Sequence, residues 1–276
     1  MNNDRRVVIT GLGVVTPVGN DLETFWSNLK NGVSGIRKIE AFDASSYDCQ
    51  IAGDVRDFDP KPFFKNPKDV RRTDRFAQLA LAASKMALDD AGIDVETLRR
   101  RDRFGVIVSS GIGGLKTLQD QQTILLTRGP SRNSPFTIPM LISNMASGII
   151  SMEYGLRGPN ICIVTACATS NNAIGESWRI IKFGDADIFL AGGSEASIVP
   201  IGLAGFSKLI VGGITESRMA SAHAAISIPP APPNKWPVID LVELTDTLWA
   251  CSPNTCLIAR VSQRSPMSVE VACALM

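Results

Sequence analysis

The segment around which this chain is organised is Asn160-Ile-Cys-Ile-Val-Thr-Ala-Cys-Ala-Thr-Ser170. The apolar and β-branched residues at 161–164 predict a short buried strand. A helix is predicted to follow, because Ile174, Trp178 and Ile181 recur at helical spacing. Cys167 then lies where the strand ends and the helix begins, and the positive end of the helix dipole favours a thiolate there.

Two interpretations of Cys167 are open on these residues alone. A thiolate on a strand-to-helix turn is a nucleophile suited to acyl transfer. The small neighbours Ala166 and Ala168 leave room for a substrate to reach the sulfur. The alternative is a buried structural cysteine, which is the commoner state of a free cysteine in general.

Strands and helices alternate along the first 209 residues. Strands are predicted at 7–10, 104–108 and 187–191, and helices at 22–29, 74–90 and 138–154. This alternation predicts an α/β fold with a mainly parallel sheet. Gly11-Leu-Gly13 is predicted to be a turn, and it does not fit a dinucleotide-binding loop because Thr16 stands at the third glycine position. Residues 34–70 are predicted to be irregular.

The nucleophile segment also resembles a known family. Thr165-Ala-Cys-Ala-Thr169, followed by Asn172-Ala-Ile-Gly175, is similar to the nucleophile motif of the beta-ketoacyl-acyl carrier protein synthases, specifically the type II elongating enzymes. Further similar motifs occur in family order between about residues 5 and 208: Val7-Val-Ile-Thr-Gly-Leu-Gly-Val-Val-Thr-Pro17, Ser109-Ser-Gly-Ile-Gly-Gly-Leu115, Ser134-Pro-Phe-Thr-Ile-Pro-Met140, Gly155-Leu-Arg-Gly-Pro-Asn160 and Ala191-Gly-Gly-Ser-Glu-Ala196. The resemblance implies the first half of a thiolase-like layered fold, with a mainly parallel mixed sheet covered by helices.

An activity and several site residues follow from the resemblance. It implies an acyltransferase that condenses acyl and malonyl groups carried by acyl carrier protein, through an acyl-cysteine at Cys167 and decarboxylation of the malonyl unit, in fatty acid elongation. It places Ile112 and Phe206 on the acyl-chain pocket, although an ordinary core isoleucine is the alternative for Ile112. Basic residues that would dock the acidic carrier protein are Lys68, Arg71 and Arg72, for which a solvated helix start is the alternative. It also implies a homodimer, and no cofactor of its own, because phosphopantetheine is carried by the acyl carrier protein.

Composition excludes several other classes of function. The net charge of +1 gives no electrostatic argument for binding nucleic acid or a membrane surface. No run of 18 apolar residues predicts a membrane span, and no secretory leader is indicated. One histidine and the absence of a Cys-x-x-Cys pair predict no metal site. Six cysteines in 276 residues do not form a disulfide pattern, which favours the reducing cytoplasm.

The tail from residue 210 to 276 has a different character. All 11 phenylalanines lie at or before Phe206, and the proline-rich segment Pro229-Pro-Ala-Pro-Pro233 is incompatible with a central strand. One short element is predicted at 238–248. We therefore expect a domain at 1–209 and a poorly defined tail at 210–276, which is either a lineage-specific extension or a frameshifted or disordered segment.

The tail bears on catalysis. The resemblance implies two catalytic histidines in a second half of the fold, and the sole histidine here, His223, matches neither motif. Another departure is Ser170, where the family usually has glycine; its side chain is expected to crowd the nucleophile turn. The leading hypothesis is therefore a ketoacyl synthase with an incomplete active site. A non-catalytic partner subunit of a complete synthase and a non-functional truncated fragment are the alternatives.

Overall fold

A computed structural model describes residues 5–209, 255–262 and 268–275. Its strands are β1 (Val8–Val14), β2 (Arg37–Lys38), β3 (Ile51–Ala52), β4 (Phe104–Ser109), β5 (Ile188–Gly193), β6 (Thr255–Ser262) and β7 (Ser268–Leu275). Its α-helices are α1 (Leu22–Lys30), α2 (Arg75–Asp90), α3 (Leu115–Arg128), α4 (Thr137–Leu141), α5 (Met145–Tyr154), α6 (Thr169–Phe183) and α7 (Pro200–Leu209). Short 3-10 turns include Pro67–Arg72 and Ala166–Ala168. None of the helices in the described part of the chain is long and apolar enough to cross a membrane.

The main sheet is mixed, as expected for an α/β fold. Its strand order is β1-β7-β6-β5-β4. Strands β4 and β5 run parallel, with Phe104 opposite Ile188 and Ser109 opposite Gly193. Strand β7 is parallel to β1, whereas β6 is antiparallel to both β5 and β7. The strands predicted at 104–108 and 187–191 are confirmed, each within two residues.

Helices cover the two faces of this sheet. Val106 and Val108 of β4 belong to a buried cluster with helices α2 and α5, which includes Phe76, Leu81 and Ile150. Ile107 belongs instead to a second cluster with α6, because successive side chains of a strand point to opposite faces. Each fully buried large apolar side chain contributes about 1.5–3 kcal/mol relative to exposure. The expected layered arrangement is confirmed.

The prediction of a turn at Gly11-Leu-Gly13 is wrong. Strand β1 continues through both glycines to Val14. The reason is close packing on α2, since a Cβ on Gly13 would lie 1.9 Å from the carbonyl oxygen of Ala83. These glycines therefore permit contact between a strand and a helix, and they do not mark a chain reversal.

The prediction of a single helix at 138–154 is also wrong. The segment forms α4 and α5, separated by an extended residue at Ile142. The carbonyl of Leu141 accepts a hydrogen bond from the N–H of Gly114, 2.9 Å away. The Leu141 carbonyl is thus bonded to the glycine-rich loop after β4, and α4 ends there.

The buried strand predicted at 161–164 is absent. Asn160 forms one isolated parallel bridge with Val106, and the Ile163 N–H donates to the Ser109 hydroxyl at 3.0 Å instead of continuing a ladder. Val164 is 54% exposed. The segment therefore follows the outer edge of β4 only at its start and then leaves the sheet towards Cys167.

The remaining predictions divide between confirmed and untested. The helices predicted at 22–29 and 74–90 are confirmed as α1 and α2, each within one residue. The stretch predicted to be irregular at 34–70 contains the two-stranded sheet of β2 and β3 and two 3-10 turns, at Lys61–Phe63 and Pro67–Arg72. The element predicted at 238–248 lies outside the described residues. Within the tail, the structure describes only the backbones of β6 and β7, and the proposed division at residue 209 stays a prediction.

Candidate active site

Cys167 lies in the 3-10 turn Ala166–Ala168, directly before helix α6. Its side chain is exposed, so the interpretation as a buried structural cysteine does not hold. Neither this turn nor α6 has a side-chain cap at its start. The backbone N–H groups at the start of α6 are therefore not capped by a protein side chain and are available to a bound group.

The residue before the nucleophile has a strained backbone. Ala166 has a φ of +50°, in the left-handed region that residues with a Cβ rarely adopt. Such conformations cost on the order of 1–3 kcal/mol and persist where the surrounding structure enforces them. This backbone conformation bends the chain sharply just before Cys167, whose side chain is exposed.

Asn172 holds this bend in place. Its side-chain amide donates to the Thr165 hydroxyl at 2.8 Å and to the carbonyl of Ala168 at 3.1 Å. The Thr165 N–H in turn donates to the hydroxyl of Thr169 at 3.0 Å. The motif contains these residues, but their role as ties across the turn is visible only in the structure.

The glycine-rich loop after β4 lies against the nucleophile turn. A Cβ on Gly111 would lie 3.5 Å from the carbonyl oxygen of Ala166 and 3.6 Å from its Cα. These are ordinary van der Waals distances, and the tighter contact for a side chain at Gly111 would be the Glu195 carboxylate, 3.0 Å from the same Cβ position. Ile112, the next residue of the loop, is 37% exposed.

The side chain of Glu195 binds the same loop through hydrogen bonds. Its carboxylate accepts hydrogen bonds from the Ser110 hydroxyl at 3.1 Å and from the N–H groups of Gly111 at 3.0 Å and Ile112 at 3.2 Å. Burial raises the pKa of Glu195, and these hydrogen bonds oppose that rise. The sequence analysis quoted Glu195 only as part of a motif, and no local pattern indicated its contacts with residues 83–85 positions away.

Ser170 is tightly packed against strand β5, and the crowding of the nucleophile turn by its side chain stays a prediction. Its hydroxyl is buried and has no hydrogen-bond partner. A Cβ on Gly193 would lie 2.2 Å from this hydroxyl. The serine therefore fits only because the facing strand residue is glycine.

The predicted pocket and docking residues are exposed. Phe206 lies on α7 and is 51% exposed. Lys68, Arg71 and Arg72 lie together in the exposed turn Pro67–Arg72, just before α2. Arg72 is 3.3 Å from the carboxylate of Asp69, and its guanidinium lies 5.0 Å from the ring centre of Phe136. The pocket and docking roles of these residues stay predictions.

Nothing in the described segments indicates a metal centre. No group of three or more histidine, cysteine or acidic residues there is arranged to hold an ion. Cys49, Cys162 and Cys167 are free thiols. His223 lies outside the described residues.

Comparison with known proteins supports the family resemblance. The model of the beta-ketoacyl synthase N-terminal domain matches residues 4–225. The chain is 49% identical to 3-oxoacyl-(acyl-carrier-protein) synthase 2 of Synechocystis sp. over 204 residues, which are 74% of this chain and 49% of that protein. It is 47% identical to the enzyme of the same name from Coxiella burnetii over 205 residues, again 74% and 49% of the two chains. The chain thus spans about half the length of the curated relatives that it matches.

Solved structures are similar over the same part. The ishigamide ketosynthase/chain length factor matches with a TM-score of 0.69 and 30% identity, covering 77% of this chain and 52% of that one. A complex of a type II PKS acyl-carrier protein with its ketosynthase matches with a TM-score of 0.64 and 25% identity, covering 74% and 54%. Both similarities place the described fold among the ketosynthases.

Proposed function

The chain belongs to the beta-ketoacyl synthase family through its N-terminal domain, and from this premise we propose that Cys167 accepts an acyl group from a carrier-bound thioester. The observation that carries the proposal is the exposed thiol at the uncapped start of α6. Exposure allows a large donor to approach the sulfur. Attack on the thioester is carried out by the thiolate, which is the nucleophilic form of cysteine.

The transfer step needs few groups. The Cys167 thiolate attacks the thioester carbonyl, the bond between that carbon and the donor sulfur breaks, and the donor leaves as a thiolate that takes a proton from solvent. The product is an acyl-cysteine. No oxidant or resident cofactor enters this balance, and the phosphopantetheine belongs to the carrier protein.

The full reaction of the family is decarboxylative condensation in fatty acid elongation. It adds attack by a carbanion, formed from a malonyl unit, on the acyl-cysteine. The developing enolate requires positioned donors, and the loss of one such donor typically costs about a hundred- to a thousandfold in rate. The resemblance implies two histidines for this task, and the sequence contains one histidine in all. We therefore propose acyl transfer to Cys167 as the step that the described residues support, and we assign none of them to the condensation.

Carrier-protein docking is proposed for the exposed basic turn. None of the described ion pairs includes Lys68 or Arg71, and Arg72 forms one ion pair, with the half-buried Asp69. Acidic partners are attracted by such a cluster with a strong dependence on salt. Reversing both charges in Arg71→Glu/Arg72→Glu should weaken carrier-protein binding at low salt by tenfold or more, whereas Arg99→Glu, at another exposed position, should not. Equal binding by the two variants would refute docking at this turn.

A homodimer is supported by apolar surface near the site. Exposed apolar side chains lie on α3, on α4 and on the segment before Cys167: Leu118, Leu125, Leu126, Phe136, Ile138, Ile142, Ile161 and Val164. Monomers rarely leave such a concentration of large apolar residues exposed. We propose that a second copy covers this surface, in the cytoplasm, and sedimentation equilibrium measures the resulting mass directly.

Acylation of Cys167 tests the proposed function. The full chain is incubated with acyl carrier protein loaded with a fatty acyl group, and its intact mass is measured. We expect a gain of one acyl group that is lost in Cys167→Ser and kept in Cys162→Ser. An unmodified wild-type chain, or an adduct that persists in Cys167→Ser, would refute the proposal and favour a non-catalytic partner subunit or a fragment.

A further inference from the structure

We infer that Glu195 is a positioning residue that holds the glycine-rich loop, defined as Ser110–Gly114, against the nucleophile turn and thereby determines which chains reach Cys167. The inference rests on the proposed role of Cys167 as an acyl acceptor. It adds a residue whose described hydrogen bonds hold the loop that carries Ile112, the residue expected on the wall of the acyl pocket.

Both carboxylate oxygens of Glu195 accept hydrogen bonds from the glycine-rich loop. One oxygen of Glu195 accepts from two consecutive N–H groups, Gly111 at 3.0 Å and Ile112 at 3.2 Å. The other accepts from the Ser110 hydroxyl at 3.1 Å. That hydroxyl accepts in turn from the N–H of Gly113 at 2.9 Å. A single side chain therefore determines the position of four consecutive loop residues.

The glycine-rich loop lies beside the turn that carries Cys167. Gly111 lies against Ala166, whose strained backbone presents the nucleophile. Ile112 follows immediately, half exposed, and is the residue expected on the acyl pocket wall. A shift of the loop away from Glu195 would therefore move the pocket wall relative to the sulfur.

Among the described hydrogen bonds, the N–H groups of Gly111 and Ile112 have no acceptor other than this carboxylate. Ionised carboxylates accept several hydrogen bonds at once, and such charge-assisted bonds are roughly twice as strong as neutral ones. A glutamine could keep the oxygen that faces the two N–H groups, but its NH2 would face Ser110. An alanine would leave both N–H groups without an acceptor, and we expect the loop to relax.

The test uses reagents that modify a thiol without any carrier protein. Rates of modification at Cys167 are measured by peptide mass spectrometry for iodoacetamide and for N-decyl iodoacetamide, and their ratio reports how the surroundings of the sulfur accept an alkyl chain. In wild type we expect the decyl reagent to be favoured. In Glu195→Ala this preference should fall about fivefold, a change equal to about 1 kcal/mol on the ratio of rates. Glu195→Gln should retain most of the preference.

Matched variants separate positioning from a general loss of structure. Glu40→Ala removes an exposed carboxylate elsewhere and should leave the ratio unchanged. Ser110→Ala removes one of the three bonds to Glu195 and should shift the ratio in the same direction by a smaller amount, which tests the inference even if Glu195→Ala does not fold. An unchanged ratio in folded Glu195→Ala, or in Ser110→Ala where the former does not fold, would overturn it.

Failure of the proposed function would look different. A wild-type chain that is not acylated by acyl carrier protein would refute acyl acceptance, yet the ratio of alkylation rates would still report on the loop. An acylated wild type with an unchanged ratio in the variants would refute the role of Glu195 alone.

Discussion

Helices α2 and α6 begin in opposite ways. The carboxylate of Asp74, which is 4% exposed, caps α2 by accepting from the N–H of Phe76 at 3.4 Å. It also accepts from the N–H and hydroxyl of Thr117 in α3 at 3.0 and 2.5 Å. The start of α6 has no side-chain cap and carries the exposed Cys167 in the preceding turn. A protein carboxylate satisfies the first helix end, whereas the second is left available for a reacting group. We interpret the capped start of α2 as structural and the uncapped start of α6 as the proposed acyl-transfer site.

The largest expected effect tests the structural side of this comparison. Asp74→Ala leaves the buried N–H of Thr117 without its acceptor and removes the α2 cap, so we expect a loss of about 3 kcal/mol in the free energy of unfolding. Asp74→Asn keeps an acceptor oxygen and should lose about 1 kcal/mol. Urea unfolding measures both. A loss below about 1 kcal/mol in Asp74→Ala would show that the closed end is not structural.

The second prediction concerns the functional side. Asn172→Ala removes the two hydrogen bonds that tie the nucleophile turn. Because Asn172 is exposed, stability should fall by only about 1 kcal/mol, while the rate of Cys167 acylation should fall about tenfold through misplacement of the sulfur. Asn171→Ala, at the exposed neighbouring position, is the matched control for both measurements. Equal losses of rate in the two variants would contradict the role of these ties.

A smaller effect is expected at Ser170, on the buried side of α6. Its hydroxyl has no partner, and an unsatisfied buried hydroxyl costs about 1–3 kcal/mol. Ser170→Ala should therefore stabilise the chain by about 1 kcal/mol, visible as a higher urea midpoint at unchanged slope. Ser170→Gly removes the same hydroxyl but adds backbone freedom, so it should gain less. Destabilisation by Ser170→Ala would mean that the hydroxyl serves the turn.

The smallest effect is expected at a third helix start. Asp21 caps α1, and the hydrogen bond from the Thr24 N–H lowers the pKa of Asp21 below its ordinary value of 3.8. A lowered pKa means that this stabilisation is present above pH 3.8 and is lost as the pH falls through the folded-state value. Asp21→Asn should therefore cost about 0.5 kcal/mol at pH 7, discounted for the exposure of the carboxylate, and less near pH 3. A difference that stays constant between pH 7 and pH 3 would contradict this linkage.

Local pattern was sufficient for several elements and for the position of Cys167. The helix predicted at 74–90 is α2, which begins one residue later, at Arg75. The nucleophile motif placed Cys167 at a helix start, where the structure has it. These features depend on residues that are neighbours in sequence.

The errors arose where distant contacts decide the backbone. Gly13 continues a strand because Ala83 of α2 lies against it, and the break between α4 and α5 reflects a hydrogen bond between Leu141 and Gly114. Glu195 likewise contacts a loop that lies more than 80 positions earlier in the chain. No window of sequence around these residues contains the partner, so their roles could not be predicted from local pattern.

Reactivity of the thiols tests the contrast between the two helix starts most directly. Rates of alkylation by iodoacetamide at pH 7 are measured by peptide mass spectrometry for Cys167, Cys162 and Cys49 in the folded chain, with glutathione as the free-thiol reference. We predict that Cys167 reacts faster than glutathione and faster than both other cysteines, and that the three become equal in guanidinium chloride. If Cys167 reacts no faster than glutathione, its exposure alone explains its behaviour, and the open start of α6 does not activate it.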